Sequence, residues 1–274
     1  MKNYFDNFYD WWKNIDKYIF SLILILFSLG LFFSLVSTSL IASDKLDTNS
    51  YYFFIKHFIF IILGINVLIF FSFLKEEHLV RISIILFYFS FITLVLVPFI
   101  GIEVKGSKRW IDFGILPRFQ PIEIIKPFFI IILSTLLCLK KNNLYFKYFL
   151  SGIILLPILL LLISQPDLGQ TLLIAMVWLT LIFVSGINIY LFFIFFAVVS
   201  ITASYLVFFV SKFEYIKFRL LSFINSSEAG NYQGEKASDA IISGGFFGKG
   251  IGEGTLNSKI PEAHTDYIVS VVSE

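Results

Sequence analysis

Seven long apolar runs organise this chain, at residues 18–41, 52–74, 79–102, 121–139, 144–164, 167–186 and 188–211. A helix needs about 20 mostly apolar residues to cross a hydrocarbon core of about 30 Å. Each run is close to that length, and polar stretches separate them. Gly64, Pro98, Pro127 and Pro157 fall inside runs. Membrane bundles tolerate such residues because neighbouring helices re-satisfy the freed backbone groups. An eighth apolar run begins at Tyr267 and reaches Glu274, too short to span. The pattern predicts an all-α integral membrane protein: a polytopic helical bundle of seven transmembrane helices plus the start of an eighth, in one membrane domain over 1–274.

Composition sharpens this. The chain is 58% hydrophobic and 15% charged, against about 45–50% and about 25% in soluble domains. One aqueous core cannot hide that much apolar surface. The net charge of +2 comes from basic residues scattered through loops, which argues against nucleic acid as a partner. A single cysteine, Cys138, excludes an internal disulfide. The opening MKNYFDNFYDWWKNIDKY lacks the short apolar core and small-residue cleavage site of a signal peptide. Residues 1–17 read as a cytoplasmic tail with an interfacial aromatic collar of Trp11, Trp12 and Tyr18.

Orientation follows Lys and Arg in short loops. Lys2, Lys13 and Lys17 precede the first span. Lys75 and Arg81 follow the second, and Lys140, Lys141 and Lys147 follow the fourth. These alternate and place the N-terminus inside. Two outer loops follow, 103–120 and 211–266, and both also carry basic residues.

Four stretches carry candidate chemistry. In GSKRWIDFGILPRFQPIEIIKP, Arg109 and Arg118 read as snorkelling cations beside an interfacial Trp110. Pro121 opens a helix where its missing N–H costs little. Glu123 and Lys126 share a helix face, and a lysine one turn into a span is also a functional-site candidate. SQPDLGQ reads as a turn with Asp167 at a helix start. SGGFFGKGIGEG is a glycine-rich backbone able to approach a ligand, but it does not fit a phosphate loop. In PEAHTDYIVSVVSE, Asp266 or Thr265 can cap a helix. A metal reading of Glu262, His264 and Asp266 finds no further histidine nearby.

These stretches occur together and in order: GSKRWIDFG, RFQPIEIIK, QPDLGQTLL, Tyr232–Gln233, SGGFFGKGIGEG and IPEAHTDYIVSVVSE. The ordered set resembles the SEDS family of FtsW/RodA/SpoVE-type peptidoglycan glycosyltransferases, and looks most like the FtsW division branch. The chain differs at Ile122, where the family usually has serine, and at Pro127, where it usually continues with an apolar residue. Family members have about ten spans, so the expectation is a chain lacking roughly the last three.

The resemblance implies polymerisation of lipid II into glycan strands at the outer face of the cytoplasmic membrane, in septal wall synthesis during cell division. It makes Asp266 the catalytic acid. A carboxylate in reach of a sugar hydroxyl can take its proton as it attacks, a contribution of about 10²–10⁴-fold. The implied substrate-binding set is Arg109, Lys126, Asp167, Arg219, Gln233, Gly244, Gly245, Lys249, His264 and Thr265. Arg109, Lys126, Arg219 and Lys249 are the candidates for stabilising the leaving diphosphate. A divalent cation (Mg or Mn) is a further candidate there, with no metal ligands assigned. Implied partners are lipid II, lipid-linked glycan, membrane lipids and a class B penicillin-binding protein. Two alternatives share the fold: a lipid II flippase and a non-catalytic divisome scaffold.

Overall fold

The computed structural model describes residues 2–38, 51–104, 107–114, 118–139, 143–209, 214, 217, 232–250 and 268–274. The helices are α1 (Lys2–Asn14), α2 (Lys17–Thr38), α3 (Tyr52–Ser72), α4 (Glu76–Ile100), α5 (Pro121–Cys138), α6 (Leu144–Ser164), α7 (Leu168–Val184), α8 (Ile189–Phe209), α9 (Tyr232–Gly244) and α10 (Ile268–Ser273). Strands β1 (Ile102–Val104) and β2 (Ser107–Trp110) form an antiparallel hairpin between α4 and α5.

Among the described residues, each of the seven apolar runs is helical over most of its length. Among the described residues α2 to α6 contain stretches long and apolar enough to cross a membrane, and the apolar stretches Leu168–Val184 and Ile189–Ile201 are shorter. The protein is a multi-pass membrane protein. The helix of the third apolar run, α4, begins at Glu76 rather than 79, because Glu76 and Glu77 occupy its first turn. Acids are stabilised at that positive helix end, although hydropathy places them outside the span.

Three segments carry more structure than the sequence pattern gives. Residues 2–14 of the tail are helical. The outer loop 103–120 contains the hairpin, with Glu103 opposite Lys108 and Val104 opposite Ser107. The longer loop 211–266 contains α9. Short strands and short amphipathic helices leave no long apolar run to read.

By contact density the chain divides into two compact units, Leu74–Ser204 and Met1–Phe73 with Tyr205–Glu274. In the first, α4 turns Ser83, Phe87, Ser90, Leu94 and Val97 inward, a strict three–four spacing that keeps one face on its neighbours. On α5 the buried positions include Ile122, Ile125, Phe129 and Leu133. The serines are small, and small residues let membrane helices approach closely where dispersion rather than water exclusion holds them. On α6, Leu155, Ile158 and Leu162 complete the core. Ile122, the departure from the family's serine, lies in this core at 1% exposure.

Lys147 is also buried. It was expected as an inward-facing loop charge, but it lies in α6 and its Nζ donates to the Leu137 carbonyl at 3.0 Å. It closes the C-terminal end of α5, where carbonyls lack intrahelical donors and cations are favoured. In the other unit, α2 packs on α3 and α10 packs on α2 and α9.

Candidate active site

The richest polar cluster lies where α4 ends, α5 begins and α6 turns into α7. The hairpin delivers the first member. Ile102 pairs with Trp110, and Ile111 bridges back to Phe119 through hydrogen bonds of 3.0 and 3.1 Å. Asp112 accepts from the Gly114 N–H at 2.8 Å and from Arg118 Nε at 3.0 Å. The Gly114 bond, then Arg118, hold its carboxyl below the usual carboxylate range. Gly114 has φ +76°, a conformation glycine adopts without a Cβ penalty. This closed turn fixes the strand that carries Arg109.

Arg109 reaches from β2 to the α6–α7 turn. Its Nε donates to the Gln165 carbonyl at 3.3 Å, Nη2 donates to the Pro166 carbonyl, and Nη1 lies 3.8 Å from Asp167 Oδ1. Asp167 is 6% exposed. Its other oxygen, Oδ2, accepts from Gln120 Nε2 at 2.8 Å. Gln165, also buried, extends Nε2 to the Leu94 carbonyl at 3.4 Å. Two stretches distant in sequence, around 109–120 and 165–170, are thus tied by one buried carboxylate. Asp167 stands at the start of α7, as expected, and makes no side-chain cap bond there.

One turn further, Lys126 Nζ pairs with Glu123 Oε2 at 2.7 Å, while Gln170 Nε2 donates to Glu123 Oε1 at 2.7 Å. Pro121 opens this helix in its first turn, as expected, with Gln120 at the cap. The Glu123 side chain is half exposed and Lys126 is 21% exposed. This pair therefore faces outward from the cluster, whereas Arg109–Asp167 is its buried anchor. Among the described residues Lys126 pairs with Glu123, which engages one of its three ammonium donors.

The remaining candidates belong to the other unit. Gly244 ends α9, and Gly245 has φ +63°. A Cβ on Gly244 would stand 1.9 Å from the Ser273 carbonyl oxygen, so only glycine fits there. Lys249 Nζ pairs with Glu274 Oε1 at 3.0 Å, and its backbone N–H donates to the Glu274 carbonyl. Gln233 lies in α9. Arg219, His264, Thr265 and Asp266 lie outside the described residues.

Sequence reasoning placed Glu123 on the face of Lys126, where the structure pairs them, but missed Gln120, Gln165 and Gln170 as members of the cluster. Each was visible as an uncharged polar residue flanking an apolar run, but amides carry no spacing rule of their own. Among the described residues no group of three His, Cys, Asp or Glu is placed to hold a metal ion. The two carboxylates of the cluster already neutralise Arg109 and Lys126, so these residues do not fit a resident cation.

The comparisons with known proteins agree with one another. A family model described as cell cycle protein, FtsW/RodA/SpoVE, matches residues 16–274. A probable peptidoglycan glycosyltransferase FtsW of Caulobacter vibrioides is 26% identical over 96% of this chain and 67% of its own. One of Coxiella burnetii is 32% identical over 94% and 71%, and one of Idiomarina loihiensis 30% over 94% and 64%. The chain spans about two thirds of the length of these relatives. Among solved structures, a chain from a peptidoglycan synthase complex that coordinates polymerisation and crosslinking aligns with TM-score 0.65 at 23% identity, covering 92% of this chain and 69% of that one. The rod shape determining protein RodA of Thermus thermophilus aligns with TM-score 0.57 at 24% identity, over 70% and 60%. The polytopic helical fold is the one these structures share, and the chain belongs to the FtsW/RodA/SpoVE family of cell cycle proteins.

Proposed function

We propose that this protein is a peptidoglycan glycosyltransferase of the FtsW type. It polymerises lipid II into glycan strands at the outer face of the bacterial cytoplasmic membrane, in septal wall synthesis. The acceptor sugar hydroxyl attacks the anomeric carbon of the lipid-linked donor, forming the new C–O bond. The bond to undecaprenyl diphosphate breaks, and that group leaves with its electron pair. Asp266 takes the hydroxyl proton. An aspartate near its reference pKa of about 3.9 is ionised at neutral pH and so can act as this base.

The observation that carries the reading is the polar cluster built from GSKRWIDFG, RFQPIEIIK and QPDLGQ within an otherwise apolar bundle. Ion pairs in a membrane protein are costly unless they face an aqueous or ligand-filled space. Within the cluster, Lys126 is the residue that binds the anionic substrate. Arg109 is a positioning residue, since three of its donors already hold the α6–α7 turn and Asp167. Arg219 and Lys249 are the remaining candidates for the diphosphate, and His264 and Thr265 for orienting Asp266. Gln233, Gly244 and Gly245 complete the proposed contact set. A divalent cation at the diphosphate is part of the proposal only outside the described residues. The partner we propose is a class B penicillin-binding protein, whose transpeptidase chemistry consumes the strands made here.

The deciding experiment is lipid II polymerisation by the purified full-length protein with its partner, read as glycan ladders on a gel. Asp266→Asn lowers the rate by at least about 10²-fold with folding unchanged. Equal ladders from wild type and variant would refute the catalytic role of Asp266, and no ladder from either would leave a scaffold. Lipid II translocation without any ladder from the wild type would favour a flippase.

A further inference from the structure

The first helix poses a separate question. If α1 and α2 formed one straight rod, Trp11 and Phe20, nine residues apart, would be separated by about 13 Å along the axis and would point to opposite sides. Instead their ring centroids lie 6.5 Å apart in an edge contact, and Trp12 lies 6.1 Å from the same phenylalanine. The chain therefore folds over at Ile15–Asp16. Asp16 accepts from the N–H groups of Tyr18 and Ile19, which starts α2 afresh after the bend.

Trp11 then pins α1 to the end of α3. Its indole N–H donates to Ser72 Oγ at 2.8 Å, and its ring stacks on Phe73 at 4.8 Å and 14°. The helix thus lies at the membrane level where α2 begins and α3 ends. Next to buried Trp11, Phe8 is 54% exposed, Tyr9 69% and Trp12 41%. Positions 8, 9 and 12 fall within an arc of about 100°. Asp10, Lys13 and Asn14, all exposed, occupy the opposite arc. Tyr18, Ile19 and Leu22 at the start of α2 and Phe73 after α3 are exposed as well. Apolar surface of this kind is what a bilayer covers, since the spanning stretches of α2 and α3 are each only 6% buried by protein.

We infer that α1 is an in-plane membrane helix, seated in the headgroup region of the leaflet where α2 starts, with Phe8, Tyr9 and Trp12 turned into the bilayer. Aromatic side chains favour that interface because they join an apolar ring to a polar edge. A short helix with one aromatic and one charged face binds there without spanning. Lys17, 5.9 Å over the Trp12 ring, sits where a snorkelling lysine meets the headgroups. The helix carries Lys2, Lys13, Asp6 and Asp10, two charges of each sign. Its seat therefore depends on aromatic burial and not on anionic lipid.

Spin labels test this in the full chain reconstituted into vesicles. With Cys138→Ser as background, single cysteines replace Phe8, Tyr9, Asp10 and Lys13. Among the described residues the side chains of Tyr9 and Asp10 make no hydrogen bond or ring contact, so their variants keep the fold if Phe8→Cys does not. Collision with dissolved oxygen, relative to an aqueous nickel chelate, is several-fold higher at 8 and 9 than at 10 and 13. The pattern is the same in pure phosphatidylcholine and with phosphatidylglycerol added. Equal chelate access at all four sites would overturn the proposal in favour of a free tail. Shielding of 8 and 9 from both reagents would overturn it in favour of a protein-covered face. A pattern that appears only with phosphatidylglycerol would overturn the aromatic seat.

Discussion

Arg109 is the residue through which two distant sequence stretches become one site. A guanidinium presents five donors in a fixed planar fork, and here the fork meets two carbonyls and a carboxylate together. A lysine at this position offers a point charge that cannot span that set. Arg109→Lys is therefore expected to behave nearly as poorly as Arg109→Ala. In detergent, unfolding followed by tryptophan fluorescence should show Arg109→Ala less stable by about 1.5–3 kcal/mol, the range for a hydrogen bond to a charged group. Asp167→Asn keeps a side-chain acceptor for Gln120 but loses the charge. The double variant should lose less than the sum of the two, with a coupling of about 0.5–3 kcal/mol. Strict additivity would show that the two residues do not act on each other. The sequence made Arg109, Asp167 and Lys126 legible as candidates, because charge beside or within an apolar run is conspicuous. It could not pair Arg109 with Asp167, since contacts across 58 positions depend on which helices pack together. Asp167 was legible as an acid at a helix start, but its partners Arg109 and Gln120 were not.

At the scale of elements, the apolar runs read correctly as helices because lipid permits little else that satisfies a backbone. What escaped the pattern are the elements that owe nothing to hydropathy: the hairpin, α1 and α9. Lys147 is the instructive case. It was read as a positive charge on the inner loop, but its stem is long enough to fold back and its ammonium finds the unpaired carbonyl of Leu137 at the end of α5. The adjacent connection is only 139–143, so the end of α5 and the start of α6 stay close, and Asn143 caps α6 by accepting from the Tyr145 N–H. Lys147→Met keeps most of the apolar stem and removes the donor. It should cost about 1–3 kcal/mol by leaving a buried carbonyl unsatisfied, seen as a lower thermal midpoint in detergent. Lys147→Arg should recover part of that loss, whereas a variant as stable as wild type would show that water satisfies Leu137.

At the scale of the whole molecule, the basic residues of 103–120, like those of 211–266, blur the sidedness rule. That rule counts Lys and Arg and gives Asp and Glu little weight, so pairing does not remove them from the count. In 103–120 their presence has a structural cause instead: Arg109 holds Asp167 and Arg118 holds Asp112. Sidedness is better decided by a single helix with a marker at each end. α4 has 25 residues from Glu76 to Ile100, about 37 Å at 1.5 Å per residue, against a hydrocarbon core of about 30 Å. Lys75 and Lys108, both exposed, flank it and must lie on opposite sides if it spans. In a Cys138→Ser background, Lys108→Cys should react with an impermeant maleimide in intact cells, and Lys75→Cys only after the membrane is opened. The reverse pattern would invert the bundle and put the Arg109–Asp167 cluster on the cytoplasmic side, where no lipid-linked glycan strand is extended. Equal labelling of both in intact cells would mean that α4 does not cross at all.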